Sequence, residues 1–253
     1  MARLSTPQLQ AQFRSTLSGS RSAGTFIGMP GSISYELAQL AGFDWVICDL
    51  EHGENDLAQV ATAVVAFEGP VIARVPSPTA ENVSRCLDRG AAGIMIPKIS
   101  SDQALDQCLE FMDYPPVGKR GVASYNRSGA WGHDPRALGD ARPVAIIQVE
   151  TIYAVESIST LVSNRRIDAL FVGPLDLSFS LGVPRQFESQ IFQKAVSDCL
   201  AAGKRHSKPI GILASDGQKA NEYLAAGFDF VAIGSDSASL LQAWKRHLSA
   251  LGK

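Results

Sequence analysis

The sequence predicts an α/β protein, a (β/α)8 TIM barrel built as a single domain over residues 1–253. Three observations predict it. Eight short apolar runs are bounded by Gly, Pro or Asp, as strands buried on both faces are. Segments with helical periodicity lie between most pairs of runs. Eight such units in 253 residues match the barrel in count and length. A doubly wound open sheet is the competing arrangement, but no GxGxxG turn follows the first strand.

The elements follow in order. Residues 5–18 alternate polar and apolar side chains at helical spacing, which predicts a short surface helix. The segment lacks the unbroken apolar stretch of a signal peptide, so a cytoplasmic protein is expected. The runs "TFIGM" (25–29), "WVICDL" (45–50), "VIARV" (71–75) and "GIMIP" (93–97) read as the first four strands. "VAIIQVE" (144–150), "ALFVG" (169–173), "IGILA" (210–214) and "FVAIG" (230–234) read as the last four. Gly42, Gly90, Gly203 and Gly227 close the intervening helices, as left-handed caps require. One interval is too long: residues 114–143, rich in Pro, Gly and Arg, form a long loop. A loop of this length is more often functional than idle, and it is placed to fold over the barrel mouth or to reach a neighbouring subunit.

Composition narrows the function. The chain is 45% hydrophobic and 19% charged, with a formal charge of −2, so neither nucleic acid nor a membrane surface is an expected partner. No apolar run approaches the roughly 20 residues that cross a bilayer. Cys48, Cys86, Cys108 and Cys199 are scattered, without a CxxC pair, and suit buried thiols.

Reacting groups of such barrels come from the C-terminal ends of the strands. Those ends carry Asp49, Glu51 and His52, then Arg74, Lys98, Gln148, Glu150, Asp176, Ser235 and Asp236. The opposite ends carry mostly Gly, Pro, Asp and Phe. A single acid past a strand is usually a helix cap, and Asp56 and Asp102 are read so. His133, His206 and His247 are read as ordinary surface or core histidines. Gln148 and Glu150 are two apart and share a face of one strand. Glu150 and Asp176, from adjacent strand ends, suit a hard divalent cation such as Mg²⁺ or Mn²⁺. Pro174 starts a helix abruptly, and the backbone N–H groups of Leu175 and Asp176 that open it could hold a substrate carboxylate.

These motifs resemble a known family. "GFDWVICDLEHGENDL", "ARVPSPTAENVSRCLDRGAAGIMIPKISS", "GKRGV", "IIQVET", "IDALFVGPLDLSFSLG" and "GFDFVAIGSD" are similar, in order, to motifs of the metal-dependent class II pyruvate aldolases of the HpcH/HpaI aldolase/citrate lyase family. The likeness runs from about residue 23 to residue 245. It implies a carbon–carbon lyase (an aldehyde-lyase) that cleaves 4-hydroxy-2-keto acids to pyruvate and an aldehyde. It also implies a divalent cofactor (Mg²⁺, Mn²⁺ or Co²⁺) and a homo-oligomer, hexamer or trimer. By the same resemblance the metal ligands fall on Glu150 and Asp176, the catalytic His on His52 and the enolate-stabilising Arg on Arg74. Gln148 would contact substrate or a metal-bound water. Asp88 would reach the His of a neighbouring subunit. Asp49 and Glu51, in phase on one strand, read as groups that orient others rather than as bases.

Two features depart from the family pattern. Lys98 stands where an apolar residue is common, and the loop around Arg127, a neighbourhood that often meets the substrate's distal end, matches loosely. Lys98 opens a rival mechanism, that of a Schiff-base aldolase. An acyl-CoA lyase of the malyl- or citramalyl-CoA type is a second rival, and a non-catalytic keto-acid-binding barrel is a third.

Overall fold

The apolar runs form eight parallel strands because each must bury both faces: β1 (Ser22–Ile27), β2 (Trp45–Asp49), β3 (Val71–Arg74), β4 (Gly93–Ile96), β5 (Val144–Val149), β6 (Ala169–Val172), β7 (Ile210–Ala214) and β8 (Phe230–Ser235). They close in sequence order, with β8 paired to β1, into the (β/α)8 barrel that the strand count predicted. The structure is a computed structural model describing residues 4–19 and 21–252. The helices are α1 (Thr6–Leu17), α2 (Ile33–Ala41), α3 (Leu57–Ala66), α4 (Ala80–Asp88), α5 (Asp102–Glu110) and α6 (Arg136–Gly139). The second half adds α7 (Ile152–Glu156), α8 (Ile158–Ser163), α9 (Pro174–Ser180), α10 (Gln190–His206), α11 (Gly217–Ala226) and α12 (Asp236–Ala250). No helix among the described residues is long and apolar enough to cross a membrane.

Alternation along the strands sorts the core into two layers. Val46, Cys48, Ala73, Ile147 and Val149 point outward, under the helices. Trp45, Ile47, Ile72, Ile146, Phe171 and Phe230 point inward and fill the barrel. The same phase carries Asp49, Arg74 and Gln148 to the top of the inner layer, and Glu150 directly above it. Gly24 is required beside Trp45: a Cβ there would lie 2.3 Å from the indole.

Five expectations change. First, α1 is a floor plug rather than a surface helix. Leu9, Phe13 and Leu17, four apart, are buried in the inner layer, with the Phe13 ring 5.6 Å from that of Trp45. Second, β1 begins earlier and ends before Gly28, because the N–H groups of Gly28 and Met29 both donate to Asp236 (3.0 Å) instead of continuing the ladder. Third, Gly42, Gly90 and Gly227 take the left-handed conformation, but Gly203 does not cap. The helix runs on to a left-handed Ser207, and Gly203 gives room to Ile210. Fourth, within one chain the 114–143 loop does not cover the mouth. It is tied to the end of α4 through Ser128 N–H and Asp88 O, and to α1 through Arg142 N–H and Gln10 Oε1 (2.7 Å), both at the floor. Fifth, Arg127 goes with it: its side chain packs on Gly90 and faces the Trp131 ring, away from the mouth.

Candidate active site

The register of β2 on β3 sets Asp49 directly beside Arg74. The two form a buried fork, with Arg74 Nε donating to Asp49 Oδ1 (2.8 Å) and Nη2 to Oδ2 (2.6 Å). Nη1 lies 3.3 Å from Glu51 Oε2, and the guanidinium sits 4.8 Å above the Phe26 ring. Three of the five guanidinium N–H groups therefore face carboxylates, and two remain for a ligand. Burial pushes the Asp49 carboxyl up. The Arg74 fork and the N–H groups of His52 and Glu51 outweigh that and hold it below the usual carboxylate range. His52 follows with its backbone pinned to Asp49 (3.2 Å), its ring more than half exposed and Nε2 3.8 Å from Glu51 Oε1.

Beside this fork, β5 delivers Gln148 and Glu150. Gln148 Nε2 donates to Glu150 Oε2, and the Lys98 N–H donates to Glu150 Oε1 (2.6 Å). Gly173 lets the end of β6 lie against the pair: a Cβ there would be 3.0 Å from Gln148 Nε2 and 3.3 Å from Glu150 Oε2. Burial pushes Glu150 up to about 7; the Lys98 N–H opposes the rise, and the charges of Glu51 and Asp176 add to it. Gln148 Oε1 is buried with no hydrogen-bond partner among the described residues. Pro174 is buried as the first residue of α9, whereas Leu175 and Asp176 are exposed at the rim.

This donor set fits a hard cation: carboxylate and amide oxygens, with Glu150 and Asp176 in no ion pair among the described residues and the buried Gln148 Oε1 left open. No group of three or more His, Cys, Asp or Glu able to hold a metal occurs among the described residues. Two carboxylates, Glu150 and Asp176, would then come from the protein, and ligand or water oxygens would complete the shell.

Lys98 has a left-handed backbone (φ 52°) and a side chain reaching over the cluster, with Nζ 2.7 Å from Glu51 Oε1. That ion pair, helped by the charges of Glu150 and Asp176, holds the ammonium above the usual lysine range. A Schiff-base nucleophile needs the opposite shift, so the geometry speaks against the imine reading.

Asp88 does not meet this group within the chain. It ends α4 at the floor, where it accepts from the fully buried Arg120 (2.7 Å). A mouth cavity of about 650 Å³ is lined by His52, Arg74, Pro174 and Leu175 together with Arg185, Lys219 and Tyr223. Sequence reasoning missed the last three. No motif marks them, and the only signals are a basic residue after α9 and another in the first turn of α11.

The profile of the HpcH/HpaI aldolase/citrate lyase family matches residues 23–243. The chain belongs to this family. The family comprises carbon–carbon lyases that act on small molecules with a divalent metal ion. The chain is 31% identical over 249 residues to the 5-keto-4-deoxy-D-glucarate aldolase of Citrobacter koseri, covering 96% of each. It is 33% identical over 219 residues to that of Shigella dysenteriae serotype 1, covering 84% and 85%. A family member from Burkholderia cenocepacia superposes with a TM-score of 0.90 at 29% identity, covering 95% of this chain and 99% of that one. An HpcH/HpaI aldolase from Desulfitobacterium hafniense shares the fold (TM-score 0.86, 23% identity, 100% and 98% covered).

Proposed function

We propose that this family member is a divalent-metal-dependent, cytoplasmic aldolase that cleaves, and in reverse forms, 4-hydroxy-2-keto acids, giving pyruvate and an aldehyde. The observation that carries the proposal is the buried Asp49–Arg74–Glu51 fork standing against the Gln148–Glu150–Asp176 oxygen cluster. The likeness to 5-keto-4-deoxy-D-glucarate aldolases supports the same substrate class.

Glu150 and Asp176 would hold Mg²⁺, Mn²⁺ or Co²⁺. The bound ion would bring Lewis acidity to the keto acid as its C3–C4 bond breaks. Gln148 fixes Glu150 through its N–H₂ and keeps a buried Oε1 free to accept. Arg74 places a cation, locked by Asp49 and Glu51, where the enolate oxygen develops; such a donor is worth about 3 kcal/mol. The Leu175 and Asp176 N–H groups would take the substrate carboxylate. His52 is half-exposed on the cavity wall and would accept the 4-hydroxyl proton, with Glu51 steadying the charged ring. His52 and Asp88 lie at opposite ends of the barrel, so their pairing needs two copies. In the proposed homo-oligomer, hexamer or trimer, Asp88 meets His52 of the partner subunit. Four buried, unpaired thiols suit the reducing compartment.

The test is exchange of pyruvate methyl protons with deuterated water, followed by NMR in the presence of Mn²⁺, Mg²⁺ or Co²⁺. Cation-dependent exchange is expected. Its absence with all three would refute the proposal.

A further inference from the structure

A separate cavity, of about 470 Å³, opens at the floor of the barrel, where β5, β6 and β7 begin. Arg142, Asp168 and Lys208 each line it from one or two residues before a strand. Arg14 joins them from α1, Arg165 from the turn after α8 and His206 from the last position of α10. The two kinds of charge are unequal here. Four fixed cations face a single acid, Asp168, an excess of three positive charges in a chain whose formal charge is −2. A cleft lined by one sign of charge focuses the field and draws the opposite ion.

The one acid is already committed. The Asp168 side chain is 8% exposed and accepts from Arg14 Nε (2.8 Å) and the Ala145 N–H (2.9 Å), with Arg166 Nη1 at 3.6 Å. Arg142 reaches it only at 3.8 Å. Arg14 is anchored further through Nη2, which donates to the carbonyls of Arg142 and Pro143; its two Nη1 protons have no partner among the described residues. Lys208 Nζ donates to the carbonyls of Asn164 and Ile167 and keeps one proton uncommitted. Burial, and after it the Arg142 charge, holds the Lys208 ammonium below the usual lysine range, and Asp168 does not offset them. The exposed side chains of Arg165 and His206 have no hydrogen bond or ion pair among the described residues. Two anchored cations with spare protons and two exposed guanidiniums therefore share one cavity without enough negative charge to answer them.

We propose that this floor cavity is a binding site for a small anion carrying two phosphoryl groups, separate from the chemistry at the mouth. One phosphoryl group carries about −1.5 to −2 charges near neutrality, so two of them match the excess of three where a single carboxylate cannot. Guanidiniums take phosphoryl oxygens through paired N–H···O bonds, and the lysine adds a point charge. The volume lies within the range of small-molecule pockets, about 300–1,000 Å³. A ligand held there would tie α1, the end of the 114–143 loop and the turns before β6 and β7 into one unit, and so would stabilise the folded chain.

The experiment is calorimetric titration of the full-length protein, freed of divalent ions so that the ligands stay uncomplexed, in about 0.1 M NaCl. The ligands are pyrophosphate, fructose 1,6-bisphosphate and succinate. At least one phosphoryl ligand is expected to bind with Kd of about 100 µM or tighter and to raise Tm. The tighter of the two shows whether the phosphoryl groups arrive free or on a metabolite. The double variant Arg142→Gln/Arg165→Gln changes two exposed side chains, so its melting without ligand should stay native while its affinity falls about tenfold or more. Arg185→Gln, at the mouth, should change affinity by less than about twofold. No binding of either phosphoryl ligand up to about 1 mM, or native affinity in the double floor variant, overturns the inference. So does a loss confined to Arg185→Gln, which would place the ligand at the mouth, or succinate binding as tightly as pyrophosphate. None of these outcomes depends on turnover, so the site stands or falls apart from the aldolase reading.

Discussion

The floor and the mouth of this barrel are built from opposite materials. At the floor, α1 inserts Leu9, Phe13 and Leu17 under the rings of Trp45 and Phe230, and Arg14 pairs with Asp168 and Arg166 with Asp113. At the mouth, Glu51, Glu150 and Asp176 are gathered around an open acceptor, and Lys98 and Arg185 hold left-handed backbones. One end packs apolar rings over a few ion pairs; the other gathers carboxylates around a buried acceptor. The difference teaches where to look: stability resides at the floor, and chemistry at the mouth.

That contrast can be broken by substitution. The largest effect belongs to the mouth. Glu150→Ala or Asp176→Ala should abolish cation binding in calorimetry and pyruvate release in an assay, with an unchanged circular dichroism spectrum and melting profile. Full activity in either variant removes the cluster from the mechanism. At the floor, Phe13→Ala should lower unfolding free energy in urea by about 3–5 kcal/mol, with kcat per folded molecule preserved. A floor variant that changed kcat as much as stability would erase the division. Arg74→Lys should cut kcat by about 10²–10³, because a point ammonium cannot keep the fork with Asp49 and still face the ligand. A near-native kcat would contradict this.

Two smaller effects sharpen the account of the mouth. Burial and the charges around it hold the Glu150 proton up to about 7. The folded value lies above the unfolded one, so in the cation-free protein this group's stabilisation is complete below the ordinary carboxylate range and is lost as pH rises through about 7. Cation binding has the opposite sense. Below about 7 the ion must displace a proton, and affinity should fall about tenfold per pH unit. Flat calorimetric affinities between about pH 5.5 and 8.5 would contradict that assignment. Lys98→Met removes a cation from the cluster and should tighten Mn²⁺ binding by a few-fold, about 3–10; weaker binding would show that Lys98 instead shapes the site through Glu51.

The barrel was legible because buried parallel strands are continuous apolar runs, and period two then placed Asp49, Arg74, Gln148 and Glu150 together. Pairing across the sheet was not legible. That Arg74 is forked by Asp49 depends on strand register, and that Asp88 takes Arg120 depends on where a long loop lands. The start of β1 was missed because Ser22, Ala23 and Gly24 are small rather than apolar, Gly24 being emptied for Trp45. The spacing of Leu9, Phe13 and Leu17 announced a helix, but only a closed barrel offers a floor to plug. Arg185 and Lys219 share no motif, and the cavity they both line exists only after β6 and β7 are side by side.

The most direct test of the central claim is pyruvate release from a 4-hydroxy-2-keto acid before and after removal of divalent ions with a chelator. Release that stops on chelation and returns on addition of Mn²⁺ is the predicted result. Release that continues undiminished without metal, and is blocked by borohydride in the presence of pyruvate, would contradict it and make a lysine imine the reacting centre.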